Sequence, residues 1–577
     1  MNFDMKLYDS SVKHIKGNEE NLIEMNREIN ILKQEEFGFQ VLINSDKDYF
    51  CQLGKTNDIH WKGLGNKIRL ELDIDKNLRK HFKMNFLGYV KDDMKNLVAD
   101  PILDKNLLYI EKNYQMIWIE GKIPENYGKE TIKLKVQAFY SEGYDREKMI
   151  AEKELEIKVI DYTLRPIKQG EFFLDLWQHL CNWARVYDVE YFSDEHFEVI
   201  DNYIKDLGNL GQRVIDLVVT DYSWAGQRCF EVDENFSNLF EMNIVKVFKD
   251  KEGKIKCDFS FLDRYIDICF KHGIKQEINL FGLIGNWDAF LFGNPIKEHK
   301  DALRVIYYDE NDGCFDYIKN KEELKAYLSL LFNHLVHNGL WEKVQIMSDE
   351  PDNAQIFKEC SDFIQSAIPE YKIKYKCAIH HQEFFDKHGD NIQSLSLNTC
   401  EFVNNIDSIE KLKKEINKRG GVLTWYSCCF PEKLNIFLKS PLIESRLKGW
   451  FTYYFDVDGF LRWAYGIWPG NVFEDASYKY PRWNAGDMFF VYPGKNLKPM
   501  HSVRYKNFLF GIQDFNIFKE IEKKGISKDE ILDQMKNLLG NKEEMRALPE
   551  RKVKMEYSLD YKKYNDLRNE LVQKYLV

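Results

Sequence analysis

Two rhythms of apolar and polar residues divide the chain. Over Phe37–Ile43, Lys67–Ile74, Tyr114–Ile119, Thr131–Tyr140 and Lys153–Val159 the two kinds alternate with period two, the pattern of strands with one buried face. Turn residues separate these runs, as in Pro124-Glu-Asn-Tyr-Gly128. Half-buried strands with little helix between them predict an all-β sandwich over residues 37–165. Residues 1–36 read as an N-terminal arm, charged and amphipathic over 13–36, held loosely or as a helix. No group of residues in this half is arranged to do chemistry. Asp161-Tyr-Thr-Leu-Arg-Pro166 looks like a linker.

Beyond it, short apolar runs alternate with segments of helical period. The runs are Phe172–Leu176, Val214–Thr220, Lys275–Phe281, Val344–Ser348, Ile373–Ala378, Ser394–Leu397, Gly421–Tyr426 and Trp450–Phe455. Glu322–Asn338 and Asn353–Ala367 are amphipathic helices between them, whereas the link from the fifth run to the sixth is too weak a pattern for a full helix. Eight runs in this order predict a (β/α)8 barrel of the TIM type over residues 166–523, closed by a helix at Val503–Lys523. A short strand, Met488–Tyr492, precedes that helix. Residues 524–577 form a C-terminal helical extension, with the capping box Ser527-Lys-Asp-Glu530 opening one helix and Tyr561–Leu576 forming the last. In such a barrel the chemistry sits where strands end.

Composition narrows the classes. The 577 residues carry 82 Lys+Arg against 93 Asp+Glu, a net charge of -11, which argues against nucleic acid as a partner. No window of about 18 apolar residues is present, so no transmembrane segment is expected. Eleven scattered cysteines without a CxxC form no disulfide framework, and Cys428 and Cys429 are adjacent, a spacing that rarely supports a bond. Free thiols in a reducing compartment and no visible leader in Met1–Ser11 make a cytoplasmic location the expectation. Aromatic residues reach 15%. Most fill the core, and a minority suit the C–H faces of sugar rings.

The fourth run ends Gln345-Ile-Met-Ser-Asp-Glu-Pro351. Neighbours on an ideal strand face opposite ways, but the strand is ending, and Pro351 biases the residue before it, so Asp349 and Glu350 can reach one cleft. Like charges this close titrate apart, leaving one group ionised and one able to donate a proton to a glycosidic oxygen. The same string also reads as a helix start, with Ser348 or Asp349 capping and Pro351 in the first turn. Histidines offer a metal site as a rival: His334 and His337 on one helix, and His380-His381 with Glu383. There is no HExxH and no Cys/His quartet, and neither metal nor cofactor is expected. A nucleophile drawn from Cys428 or Cys429 has no base beside it in sequence. Other strand ends carry Trp177-Gln178, Trp224-Ala-Gly-Gln227, Asn286-Trp287, Asn398, Trp425-Tyr426, Asp456-Val-Asp458 and Arg462-Trp463, which together suit a polyhydroxylated ligand.

From about Glu171 to Phe515 the chain resembles glycoside hydrolase family 123, the β-N-acetylgalactosaminidases. The resemblance rests on Leu174-Asp-Leu-Trp-Gln178 with Ala184-Arg185 and Ser193-Asp-Glu-His196, Trp224-Ala-Gly-Gln227, Ser348-Asp-Glu-Pro351, Thr424-Trp-Tyr-Ser-Cys428, Val457 through Trp463 with Trp468, Gly486-Asp487 through Gly494, and Gly511-Ile-Gln-Asp514. A preceding β-sandwich is also usual there. The resemblance implies an exo-acting, retaining enzyme that releases terminal β-linked GalNAc from an oligosaccharide or glycolipid. The substrate's 2-acetamido oxygen attacks C1, so no enzyme nucleophile is required, an exception to the two-carboxylate scheme. It assigns Asp349 to orienting the acetamide N–H and Glu350 to acid/base work. Position after strand ends makes Tyr426 the candidate donor to the acetamide carbonyl, Trp177, Trp425, Trp463 and Trp468 candidate pocket walls, and Gln178 and Asn398 candidate hydroxyl contacts. Departures at His179-Leu180, Asn182-Trp183 and Arg462 bear on leaving-group preference. Two alternatives are a double displacement with Asp456 or Asp458 as nucleophile, and a barrel that only binds sugars.

Overall fold

The computed structural model describes residues 1–55, 65–227, 239–284, 303–351, 353–379, 392–479 and 483–577. The first part is a sandwich of eleven strands: β1 (Phe3–Asp9), β2 (Glu28–Lys33), β3 (Glu36–Ser45), β4 (Tyr49–Leu53), β5 (Asn66–Asp73), β6 (Phe82–Lys91), β7 (Leu97–Ile102), β8 (Leu107–Ile110), β9 (Gln115–Lys122), β10 (Thr131–Glu142) and β11 (Lys148–Thr163). One sheet runs β1-β3-β9-β6-β7 and the other β2-β11-β10-β5-β4-β8. The arm expected over residues 1–36 is therefore a correction: β1 pairs antiparallel with β3, and β2 pairs parallel with β11. The alternation was there in Met5 and Leu7, both buried, but charged neighbours on a short edge strand hide a period of two.

The second part is an eight-stranded parallel sheet closed on itself. In chain order its strands are Phe173–Leu176, Val214–Val218, Glu277–Ile284, Val344–Asp349, Tyr375–Ile379, Ile392–Asn398, Leu423–Tyr426 and Gly459–Arg462. Each pairs with its sequence neighbour, the eighth pairs with the first, and a bridge from Leu174 to Gln212 with Arg213 N–H donating to Leu174 O (3.0 Å) completes the ring. Gly459 permits that last pairing, since a Cβ there would lie 1.7 Å from Phe173 O. Strands buried on both faces read as continuous apolar runs, which is why seven of them were visible in the sequence.

The eighth run was misread. Trp450–Phe455 belongs to the helix Ile443–Tyr454 and its cap, and every residue of that helix is buried. It lies between the barrel wall and the helix Val503–Lys523, where Gly449 and Gly511 let the two backbones meet: a Cβ on Gly449 would sit 1.8 Å from Gly511 O. A helix buried all round shows no polar face, so a short piece of it looks like a strand. The true eighth strand begins at Gly459, and Asp456 and Asp458 consequently precede it.

The barrel interior holds charge. Lys376 Nζ binds Asp175 Oδ2 (2.5 Å) and Glu277 Oε1 (2.7 Å), and Gln345 Nε2 donates to Glu277 Oε2 (2.9 Å). Burial pushes both carboxyl pKa values up, while the two acids hold the Lys376 ammonium protonated against the same burial. The sandwich is tied to the barrel through Arg504, which donates to Asp100 of β7 (2.9 Å), and through Gln513, which pairs both ways with the Glu36 backbone (2.9 and 2.7 Å). The C-terminal helix Tyr561–Tyr575 adds Arg568, buried between Glu35 (2.5 Å) and Asp514 (3.0 Å). A four-stranded sheet not foreseen from sequence (Lys246–Lys249, Ile255–Asp258, Ile306–Asp309, Cys314–Tyr317) is built from the segments following the second and third barrel strands.

Candidate active site

The fourth strand delivers its acids to the open end of the barrel. Asp349 is its last residue, in register with Ala378 of the fifth strand. Glu350 follows with φ at +46°, a left-handed conformation uncommon outside glycine, and its N–H donates to Ala378 O (2.9 Å). That conformation departs from the extended backbone of the strand, so the strict alternation of an ideal strand ends at Asp349. The helix-start alternative fails on the cap: the next helix opens at Ala354, and Asn353 Oδ1 accepts from Gln355 and Ile356 N–H (both 3.0 Å). Asp349 and Glu350 are both half-buried.

Three strands round the wall, Tyr426 ends the seventh strand, and its hydroxyl donates to Glu350 Oε1 at 2.6 Å. Burial first, and then the Glu350 and Asp349 charges among others, raise the Tyr426 phenol well above its ordinary pKa, so the hydroxyl that binds Glu350 remains a donor. Next to it, Arg462 ends the eighth strand with no exposed surface. It donates to Ser427 O (2.7 Å), Asn435 Oδ1 (2.8 Å) and Asp487 Oδ1 (2.6 Å). Asp487 also faces Trp463 Nε1 (3.5 Å), and burial pushes its pKa up to about 6 despite Arg462. Trp463 is half-buried and meets Trp483 edge to face at 4.7 Å. Trp177 is fully buried beneath, against Trp224 (5.3 Å) and Phe281 (4.9 Å), and His179 packs on Trp224 at 4.8 Å. Burial drops the His179 pKa to about 4, and its Nε2 meets Trp463 O at 2.8 Å, so the neutral ring donates through Nε2 and presents Nδ1 as an acceptor.

The structure thus brings Asp349, Glu350, Tyr426 and Trp463 to one mouth, with Trp177 as part of its floor. Four other candidates are committed elsewhere. Trp425 lies on the opposite face of its strand from Tyr426, and its indole donates to Thr452 of the surrounding helix (2.9 Å). Gln178 Oε1 accepts from Asp216 N–H (2.9 Å) and Tyr265 OH (3.0 Å), joining the first two strands. Asn398 caps the helix Thr399–Asn404 through Cys400 N–H (3.0 Å). Trp468 is buried and donates to Val491 O (2.7 Å). An aromatic or amide at a strand end is as readily a packing or capping group as a ligand contact, and only its facing decides. Asp487, Trp224, His179 and Trp483 were not assigned to the site. Trp224, in the short strand Tyr222–Gln227, stood in the sequence only as part of a strand-end string, whereas His179, Trp483 and Asp487 lie outside regular strands and carry no periodic signal.

The rival sites lie apart from this mouth or outside the described residues. His334 pairs with Asp263 (2.7 Å) and stacks on Phe259, and His337 is exposed on the same helix. His380, His381, Glu383, Asn286 and Trp287 lie outside the described residues, as do the side chain of Gln227 and the link between the fifth and sixth strands. Among the described residues no group of three or more His, Cys, Asp or Glu is placed to hold a metal. Asp456 and Asp458, offered above as nucleophiles, sit at the closed end. Asp456 pairs with Lys413 (2.9 Å) and Lys528, and Asp458 Oδ2 accepts from Leu423 N–H (2.8 Å) at the foot of the seventh strand. The double displacement through either is ruled out by position.

A closed parallel barrel with neighbouring carboxylates and aromatic rings at the C-terminal ends of its strands has the architecture of a glycoside hydrolase. The chain belongs to glycoside hydrolase family 123, whose profile, described as "Glycoside hydrolase 123, catalytic domain", matches residues 177–521. Among solved structures, a family 123 glycoside hydrolase from Clostridium perfringens, described in work on glycolipid glycan hydrolysis, superposes over 100% of this chain and 99% of its own, with a TM-score of 0.77 at 18% identity. A maltogenic amylase from S. marinus covers 86% of this chain and 72% of its own at 12% identity, and a Bacteroides uniformis β-glucuronidase 90% and 50% at 8%. Their TM-scores are both 0.28, too low to argue from. No curated protein sequence is matched.

Proposed function

We propose that this hydrolase is an exo-acting, retaining β-N-acetylgalactosaminidase that removes terminal GalNAc from oligosaccharides or glycolipid headgroups with help from the substrate's own 2-acetamido group. The observation that carries this is the place of adjacent Asp349 and Glu350 at the end of the fourth strand, with Tyr426 donating to Glu350 and the Asp349 charge acting on the same phenol. A nucleophile and an acid straddle the sugar ring at about 5–5.5 Å and come from different strands. Neighbouring acids instead suit adjacent carbons: Asp349 holding the acetamide at C2, Glu350 protonating the oxygen leaving C1. Three further carboxylates near the mouth are buried and already bonded: Asp221 to Asn243 and Ile306 N–H, Glu241 to Cys181 and Asn182 N–H, Asp487 to Arg462. None of the three is disposed to attack C1. In this scheme Tyr426 turns from Glu350 to the acetamide oxygen and holds it in line with C1 as that oxygen gives its electron pair to the anomeric carbon, and Trp463 bears on the sugar face. The choice of GalNAc comes from the family, and a glycolipid substrate from what is said of the C. perfringens enzyme.

Turnover of aryl β-GalNAc, β-GlcNAc and β-galactoside substrates tests the reading. The first is expected to be cleaved fastest, the galactoside, which has a hydroxyl at C2, to be inert, and a GalNAc thiazoline to inhibit. Asp349→Asn is expected to slow even the activated aryl GalNAc, because ring closure precedes departure of any leaving group. Brisk cleavage of the galactoside, or full activity in Asp349→Asn, would remove the assisted mechanism. No turnover of any glycoside would leave a barrel that binds sugars.

A further inference from the structure

We propose that Cys428 and Cys429 form a dithiol site in the wall of the catalytic mouth, able to hold a thiophilic trivalent group, such as an organic arsenical, across both sulfurs. The two Sγ atoms are 3.8 Å apart. They stand on the segment that leaves the seventh strand, two and three residues beyond Tyr426, and both residues are half-buried. Cys428 Sγ lies 3.9 Å from Asn398 Nδ2. Its thiol pKa is raised by Cys429, by burial, and by the Glu350 and Asp487 charges, so the sulfur lies within electrostatic reach of both acids. Among the described cysteines most others are buried within the fold, and Cys314 is exposed on a surface strand.

The chemistry needs no oxidant. A monosubstituted arsenic(III) oxide condenses with two thiols: two S–H bonds and the arsenic–oxygen bonds break, two As–S bonds form, and the protons depart with oxygen as water. Arsenic remains trivalent. The first bond makes the second intramolecular, which raises overall affinity by about 10²–10⁴ over a single thiol. The organic substituent left on arsenic then projects beside Glu350, where the sugar must enter.

Phenylarsine oxide added to the full chain is the test, read by intact mass and by glycosidase activity. One adduct per chain is expected, with parallel loss of turnover. Both effects should be reversed by 2,3-dimercaptopropanol and resist the same thiol concentration as 2-mercaptoethanol. Cys428→Ala and Cys429→Ala, checked for folding by circular dichroism, should each bind the reagent at least about 100-fold more weakly. No stoichiometric adduct on the parent, or undiminished binding in both variants, overturns the site. An adduct that leaves turnover untouched overturns its place in the mouth. The mass measurement is independent of what the enzyme cleaves, so failure of the GalNAc reading would not disturb it.

Discussion

Two acidic stretches flank barrel strands, Ser348-Asp-Glu-Pro351 after the fourth and Asp456-Val-Asp458 before the eighth. In composition they are nearly interchangeable. In place they are opposites. The first projects half-buried into the mouth, one carboxylate accepting from a tyrosine hydroxyl. The second is consumed at the closed end: Asp456 between two lysines, Asp458 on the backbone of Leu423. The lysines and backbone amide that hold the second pair fix it at the base, and the end of the strand that a carboxylate occupies decides which fate it meets. Which end is a question of a few residues of strand placement, and misplacing the eighth strand by one run carried two aspartates from the base to the mouth.

The largest contrast is in rate. Glu350→Gln should lower kcat/KM about 10²–10⁴-fold on substrates with poor leaving groups, and much less on activated aryl glycosides that need little protonation. Asp456→Asn and Asp458→Asn should stay within about threefold of the parent on both. Steady-state kinetics with one substrate of each kind decide it. A collapse of activity in either base variant, with folding intact, would mean that the closed end is not separate from the chemistry.

Next in size is a variant between the two ends. Lys376→Met leaves Asp175 and Glu277 buried without their cation. Removing one partner of a buried pair costs about 3–5 kcal/mol, and denaturant unfolding should show a loss of that order. Because the change lies below the mouth, any activity that survives should retain the parent's preference among leaving groups. A variant as stable as the parent would show that the interior acids hold their protons without Lys376.

The ends also differ in how acid reaches them. Near the mouth, His196 Nδ1 accepts from Phe192 N–H (2.8 Å) and its Nε2 meets Leu180 O (2.8 Å). Burial lowers its pKa to about 4 from 6.5. A histidine so lowered stabilises the fold fully above pH 6.5, and that contribution is lost as pH falls toward 4, because the unfolded chain takes up the proton first. The loss is about 3 kcal/mol. At the base, burial raises the Asp456 pKa but Lys528 and Lys413 more than offset it, holding the carboxyl below 3.8, so its contribution persists until pH falls below that value. The stability deficit of His196→Gln should therefore shrink between pH 6.5 and 4, while that of Asp456→Asn is constant there and shrinks only in stronger acid. Thermal unfolding of the three proteins across pH separates the windows. A His196→Gln deficit independent of pH would mean that the imidazole takes up its proton as readily in the fold as in the unfolded chain.

Much of this was legible in the sequence. Seven barrel strands, the closing helix Val503–Lys523 and the Ser527 cap follow from periodicity and capping chemistry, both local. What escaped depends on surroundings. The edge strands β1 and β2 show their alternation only once β3 and β11 are there to pair with them. The helix ending at Tyr454 lacks a polar face because Gly449 and Gly511 bring a second helix against it. In the site, Glu350 was legible because proline and strand end are written beside it, while Trp425 and Tyr426 could not be told apart, since facing inward or outward is a matter of register.

The smallest effect expected is at Asp458, and it tests whether the base is only a clamp. The Asp458 backbone N–H donates to Leu423 O (2.9 Å), its carbonyl accepts from Phe173 N–H (2.9 Å) and its carboxylate accepts from Leu423 N–H (2.8 Å). The residue therefore fastens the feet of the first, seventh and eighth strands, the seam where the barrel closes. Asp458→Ala keeps both backbone bonds and leaves the Leu423 amide without its acceptor, a cost of about 1–2 kcal/mol. Asp458→Asn keeps an acceptor oxygen and loses only the charge facing Lys413 at 3.5 Å, so it should recover most of that. Hydrogen exchange at the Leu423 amide should quicken in the alanine variant and not in the asparagine one. Equal exchange in both would mean that the seam holds through its backbone alone, and the contrast between the ends would then rest on the mouth.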